Sequence, residues 1–206
     1  MQQMKVALTT ATLDPGAGRL ACKSAMTTAG VSVEFKVIID PVKQGGCKTA
    51  NVGLRWALDT KLPYICYIND DVEFVQHDWL ARLVEVLESN PRYATAAPGG
   101  HCATAPQCKA EINMPPGVTT VKHLSHFCVV HKREALLDIG LFDEAFYHYG
   151  CDNDWNLRAA QKGWKLAWVR DVWVNHFGCH PGRRMVDWMK HDQALYKKRL
   201  NEGYYK

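Results

Sequence analysis

Tyr64-Ile65-Cys66-Tyr67-Ile68-Asn69-Asp70-Asp71 is an apolar run that stops abruptly at an amide and two adjacent carboxylates. Five apolar or aromatic residues followed by polar ones read as a buried strand reaching the edge of its sheet. Working outward, 49–60 (TANVGLRWALDT) reads as the preceding helix and 33–40 (VEFKVIID) as the strand before that. Further back, 5–10 (KVALTT) is a buried strand, and 18–30 is a helix closed by its final glycine. On the far side, 77–89 carries Leu80, Leu83, Val84 and Leu87 at helical spacing. Repeated strand–helix–strand units imply right-handed crossovers, so the expected class is α/β, Rossmann-like, with a mainly parallel central sheet flanked by helices.

The second half reads differently. Residues 98–117 are rich in Gly, Pro and Ala with little periodicity, which predicts a long loop of the kind tied to function. One or two strands follow in 118–131, then a short helix at 133–139 and another at 154–162. Two short strands are expected at 165–169 and 172–175, and a polar helix at 186–200. No internal repeat or low-complexity segment is visible.

With 206 residues the chain can bury one good core, and 47% hydrophobic against 22% charged residues excludes a disordered tail or a membrane bundle. No apolar run approaches the roughly 18 residues that cross a bilayer. The opening residues lead directly into a strand-like segment, so a cytoplasmic protein is expected. Eight cysteines in such a chain are then expected as reduced thiols. A net charge of +4 suits an anionic ligand without pointing to nucleic acid.

In open parallel sheets, ligands sit outside the carboxyl ends of the strands. Three expected strands end there in polar residues: Thr9-Thr10, Asp40, and Asn69-Asp70-Asp71. Strand ends are polar in any protein, so the acidic pair behind a buried strand carries most of the signal. Adjacent carboxylates suit a hard cation beside a diphosphate, and Mg²⁺ or Mn²⁺ needs few protein ligands because water and phosphate supply the rest. His176, ending the last strand, is a candidate for the more distant ligand. A second acidic group lies in Tyr149-Gly150-Cys151-Asp152-Asn153-Asp154-Trp155, just ahead of a predicted helix. One carboxylate there can cap the helix while the other faces a pocket as general base.

Several of these segments together resemble family 2 glycosyltransferases of the GT-A fold, and within them the rhamnosyltransferase-like branch. The resemblance rests on Ala50-Asn51-Val52-Gly53-Leu54, Tyr64 to Val72, Ile139-Gly140-Leu141-Phe142-Asp143-Glu144, Asp152 to Ala159, Gly163-Trp164 and Val174-Asn175-His176, in order over roughly residues 5–178. It implies one domain over 1–206, with a nucleotide-binding half (about 1–97), an acceptor and catalytic half (98–182) and a C-terminal helical tail (183–206). It implies Asp71 and His176 as ligands of Mn²⁺ or Mg²⁺, and Asn69, in place of the first aspartate of the Asp-x-Asp motif, as a nucleoside contact. Asp40 matches the residue that meets the nucleobase, and Asp152 the catalytic base, with Cys151 replacing the neighbouring glutamate. Thr9, Asn51 and Asp70 join the donor-binding set. The chain departs from the family in a shortened connection before the Asn51 helix and in Pro41-Val42-Lys43, where the family has Asn-Gly-Ser. A UDP, dTDP or GDP sugar is therefore an equally good donor.

The expected reaction is a single displacement with inversion. Asp152 takes the acceptor proton, and Arg183, Arg184 and Lys48 are placed to meet the diphosphate. The acceptor is a glycan, a lipid-linked sugar or a hydroxylated nucleobase in DNA, the last permitted by the basic residues Lys190, Lys197, Lys198 and Arg199. Two readings compete with an active enzyme. One is a zinc module built on His101, Cys102, Cys108, His123, His126, Cys128 and His131, which lack paired Cys-x-x-Cys spacing. The other is a degenerate domain that binds a sugar nucleotide or glycan without turnover.

Overall fold

The structure is a computed structural model that describes residues 4–101, 106–109, 115–178 and 183–205, with backbone alone at 108–109 and 183–185. The chain begins with β1 (Lys5–Thr12), whose Val6 to Thr10 are buried on both faces. Next comes α1 (Pro15–Thr28), which starts earlier than its apolar spacing predicts. Asp14 caps it by accepting from the amide of Gly16 at 2.7 Å, and Pro15 fills the first helical position. Such a cap contributes about 1 kcal/mol. β2 (Ser32–Ile39), α2 (Gly46–Asp59) and β3 (Tyr64–Ile68) complete two strand–helix–strand units, with β2 and β3 both parallel to β1.

Beyond β3 the chain forms the short β4 (Val72–Glu73), α3 (Trp79–Ser89), β5 (Tyr93–Gly100), a 3₁₀ turn (Pro106–Lys109), β6 (Val118–Val121) and β7 (Cys128–Lys132). α4 (Arg133–Ile139), α5 (Cys151–Gln161), β8 (Lys165–His176) and α6 (Arg183–Asn201) follow. The eight-stranded sheet runs β2-β1-β3-β7-β5-β8-β4, with β6 also on β8. β1, β2, β3, β5 and β8 all point one way, which makes the central strands mostly parallel. The antiparallel β7 is inserted between β3 and β5. The sheet is thus α/β with flanking helices, as the alternating first half predicts.

Beside the earlier start of α1, three elements differ from the sequence reading: α5 begins at Cys151, which puts Asp152 inside its first turn and not ahead of it, and β5 and β8 are longer than expected. β5 runs to Gly100, into residues expected as loop, because Ala, Pro and Gly carry no β-strand signature. The small residues are required there: a Cβ on Gly100 would stand 2.7 Å from Phe127 Cζ. β8 is one strand and not two. The polar pair Arg170-Asp171 looks like a break, but the Asp171 carboxylate accepts from Arg82 Nε (2.9 Å) and from the Gly117 amide (3.0 Å). The strand continues past it with an irregular register against β5.

Apolar layers cover both faces of the sheet. One holds Leu8, Trp79, Leu83 and Phe127 under α1 and α3; the other holds Leu54, Ile65, Leu136 and Trp155 under α2, α4 and α5. α2 lies very close to β1: a Cβ on Gly53 would fall 2.2 Å from Thr9 Oγ1. These layers fix the carboxyl edge, where β1, β3 and β8 end and β7 begins.

Candidate active site

The acidic corner forms where β3 ends. The Asn69 amide donates to the Phe127 carbonyl at 2.7 Å, tying the turn to the start of β7. β4 then pairs antiparallel with β8, setting Val72 opposite His176. This register brings His176 Nε2 to 3.3 Å from Asp71 Oδ1, while its Nδ1 lies 2.6 Å from the His101 carbonyl and its ring stacks on Phe127. A carbonyl accepts only from N–H, so Nδ1 carries the proton and Nε2 faces the carboxylate. Burial works against the imidazolium, but the hydrogen bond and charge of Asp71 and the His101 carbonyl outweigh it and raise the pKa. A neutral Nε2 lone pair facing a carboxylate repels it, so a proton or a cation belongs between them. Asp70 lies beside this pair with Oδ2 on the Thr12 hydroxyl. Burial, opposed by Thr12 and reinforced by Asp71, raises its carboxyl above the usual range.

Among the described residues no group of three or more His, Cys, Asp or Glu could hold a metal ion. The corner thus offers one carboxylate oxygen and one imidazole nitrogen. That set fits Mg²⁺ or Mn²⁺ bound jointly with phosphate, and does not fit a structural zinc site closed by four protein ligands.

The second carboxylate enters from α5. Gly150, at φ 73°, turns the chain into that helix, and no side chain caps it. The half-buried Asp152 lines a cleft of about 500 Å³ with His123, Ser125, Asn153 and Tyr196. Asp70 and Asp71 line a different cleft of about 550 Å³, beside Lys23, Ser24 and Phe177. Two side chains that the sequence reading passed over link the halves. His148 feels Asp152, Asp71 and Asp70 together; burial of its ring lowers its pKa, with Asp192 and these three carboxylates pulling the other way. Tyr67 is held well above its usual value by burial first, then by Cys151, Cys47, Asp70 and Asp71. His148 stands one residue before the quoted Tyr149–Trp155 segment, and only its nearness to that acidic segment could have singled it out.

Other expected donor residues are engaged in building the walls. The Asp40 carboxylate is buried and accepts from the amides of Gln44 (3.0 Å) and Gly45 (3.2 Å). Asn51 is buried and clasps the far loop: Nδ2 donates to the Phe142 carbonyl (2.8 Å) and Glu144 Oε1 (3.0 Å), and Oδ1 accepts from the Phe142 amide (3.1 Å). Thr9 donates to the Lys36 carbonyl at 3.0 Å beneath α2. Lys48 is half-buried in the first turns of α2. Arg183 and Arg184 open α6, and their side chains lie outside the described residues.

Asp154 is fully buried and meets Arg158 Nε (2.8 Å), Arg199 Nη1 (2.8 Å) and the Tyr205 hydroxyl (2.7 Å). The i+4 pairing with Arg158 that its spacing allows is present. Arg199 also binds Asp143 at 2.7 Å, so it belongs to this internal cluster and not to an exposed basic face. Of the histidines of the zinc reading, His126 and His131 are packed in the core, with His126 Nε2 3.1 Å from Asn156 Oδ1 and the His131 ring tilted against Trp155, whereas His101 is exposed and His123 half-buried. Cys102 and the side chain of Cys108 lie outside the described residues. Cys22, Cys47, Cys66, Cys128 and Cys151 are free thiols. No helix among the described residues is long and apolar enough to cross a membrane.

No family model matches the chain, and no curated protein matches it in sequence. Solved structures do resemble it in fold. GalNAc-T7, determined with UDP, GalNAc and Mn²⁺, superposes with a TM-score of 0.63 at 15% identity over 85% of this chain. The chain spans 44% of that protein's length. The protein A197 from STIV gives a TM-score of 0.58 at 14% identity, covering 85% of this chain and 87% of its own. At these identities the likeness speaks to architecture, and the architecture is GT-A-like.

Proposed function

We propose that this chain is a metal-assisted glycosyltransferase that moves a sugar from a nucleoside-diphosphate donor to an acceptor hydroxyl. The observation that carries the reading is the Asp71–His176 pair at the carboxyl edge, an oxygen and a nitrogen facing each other at 3.3 Å. The GT-A-like fold supports it, as does the UDP and Mn²⁺ of the GalNAc-T7 structure. When bound by Asp71 and His176, Mn²⁺ or Mg²⁺ supplies neutralisation of the charge that develops on a departing diphosphate.

The protein's own groups do the rest. Asn69 and Asp70 border the donor at the end of β3, and Lys48, Arg183 and Arg184 meet the diphosphate. Asp40, Asn51 and Thr9 act on the donor through the walls they fix. Asp152, in its own cleft, accepts the proton of the acceptor hydroxyl as that oxygen attacks the anomeric carbon, and the donor's glycosidic bond breaks with inversion. The described lining of this cleft has an aromatic ring, an amide, a hydroxyl and an imidazole but neither Lys nor Arg. We therefore take the acceptor to be a glycan or lipid-linked sugar in preference to a nucleobase in DNA, whose phosphates call for cations.

Hydrolysis of UDP, dTDP and GDP sugars with added Mn²⁺ tests the reading. Turnover of one donor class, abolished by chelation, is the expected result. Full turnover in excess chelator removes the metal from the mechanism, and inert protein with every donor favours a binding domain without turnover.

A further inference from the structure

α6 is a polar helix with a wide exposed face, yet Asp192 in its middle is completely buried. Its carboxylate accepts from three successive backbone amides: Tyr147 at 3.0 Å, His148 at 2.8 Å and Tyr149 at 2.8 Å. The ring of His191 adds a contact at 2.9 Å. A buried carboxylate is tolerated only when its oxygens are satisfied, and here backbone groups of one short segment do most of it. On its other side the same segment is held by α2, whose Cys47 amide donates to the Tyr147 carbonyl at 3.1 Å. Gly45 and Gly46 allow that approach: a Cβ on Gly45 would meet the Tyr147 carbonyl oxygen at 2.8 Å, and one on Gly46 would meet His148 Nδ1 at 2.6 Å.

The clamped segment leads through Gly150, at positive φ, straight into Cys151-Asp152. It also carries His148, which lies in the field of both acidic groups. Further along the same helix Arg199 bridges Asp143 and Asp154, the flanks of this stretch. α6 therefore grips the chain before, at and after the turn that delivers Asp152.

We infer that Asp192 is a positioning residue of the transfer reaction, holding the 147–149 turn so that Asp152 is presented to the cleft it lines. The inference rests on the glycosyltransferase reading above. Asp71 and His176 belong to other elements, so loss of the clamp displaces the base without dismantling the metal corner. Displacement of a base by about 1 Å costs on the order of a hundredfold in rate.

The test uses the full chain, Mn²⁺ and whichever donor the hydrolysis screen identifies. It compares Asp192→Asn with Asp192→Glu, reading kcat, donor KM and amide exchange at Tyr147, His148 and Tyr149. Asn places an NH₂ group against three N–H donors, whereas Glu keeps the charge at a slightly different reach. In Asp192→Asn, kcat for donor hydrolysis, in which water is the attacking hydroxyl, should fall by about tenfold or more with donor KM within about twofold, and the three amides should exchange faster. Asp192→Glu should recover part of both. Unchanged kcat in folded Asp192→Asn overturns the inference. So does a joint loss of kcat, donor affinity and protection throughout the molecule in both variants, since Asp192 then merely holds the fold. A wild type inert with every donor defeats the functional reading first and takes the catalytic role of Asp192 with it. Unchanged exchange at the three amides defeats the clamp on its own.

Discussion

At the scale of single residues, Asp152 and Asp154 stand two apart and are used in opposite ways. Asp152 faces a cleft; Asp154 is buried between Arg158, Arg199 and Tyr205. Asp152→Asn keeps shape but cannot take a proton, so turnover should fall by about two to four orders of magnitude with donor affinity and melting temperature nearly unchanged. Asp154→Asn leaves two guanidinium groups without their buried partner and should cost about 3 kcal/mol or more in stability. Kinetics and thermal melts of both variants decide between the roles; a folded, dead Asp154→Asn beside an active Asp152→Asn moves the base to Asp154. The sequence distinguishes these two only through spacing, since Arg158 stands four residues after Asp154 on the same helix. It gives no hint of Arg199 or Tyr205, because contacts across 45 and 51 residues leave no local pattern. The same holds for Asp40 and Asn51: a polar residue at a strand end or on a helix looks available until its backbone partners are seen.

At the scale of elements, the first half was legible because each strand and helix has the period of its class. Asp14-Pro15 is an overlooked start signal for α1, and β5 and β8 were obscured by small residues and by Arg170-Asp171. β7 carries a consequence for pH. Within and just before it, His131 and His126 are buried against Trp155, and neither nitrogen of His131 has a hydrogen-bond partner among the described residues. Burial lowers both pKa values, with Asp152 and Asn156 partly restoring that of His126 and Arg158 lowering it further. Above about pH 6.5 both histidines are neutral folded or unfolded, and stability is full. As pH falls through that value, the unfolded chain binds protons that the folded core refuses. Stability is then lost at up to about 1.4 kcal/mol per pH unit for each. His176, whose pKa is raised, works the other way: its contribution is present below pH 6.5 and fades as pH rises through its folded value. Melting temperature should therefore drop between pH 7 and pH 5, and His131→Leu should flatten that drop. An equally steep drop in His131→Leu would place the acid sensitivity elsewhere.

At the scale of the whole molecule, the carboxyl edge gathers residues distant in sequence because strands of one direction end together there. β1 brings Thr12, β3 brings Asp70 and Asp71, β8 brings His176, and the turn into α5 brings His148 and Asp152. The strand-end rule was enough to find the acidic corner and His176. It could not find Asp192, which sits on a helix with no motif and acts only on backbone amides. The central claim is that Asp71 and His176 together hold a divalent cation for a nucleoside diphosphate. Its most direct measurement is bound Mn²⁺, read from the loss of the free-ion electron spin resonance signal. Wild type, Asp71→Asn and His176→Ala are each titrated with and without UDP, dTDP or GDP. The account predicts Mn²⁺ uptake by wild type that strengthens with one nucleoside diphosphate and is lost in both variants while they remain folded; undiminished, nucleotide-dependent uptake by both folded variants would contradict it.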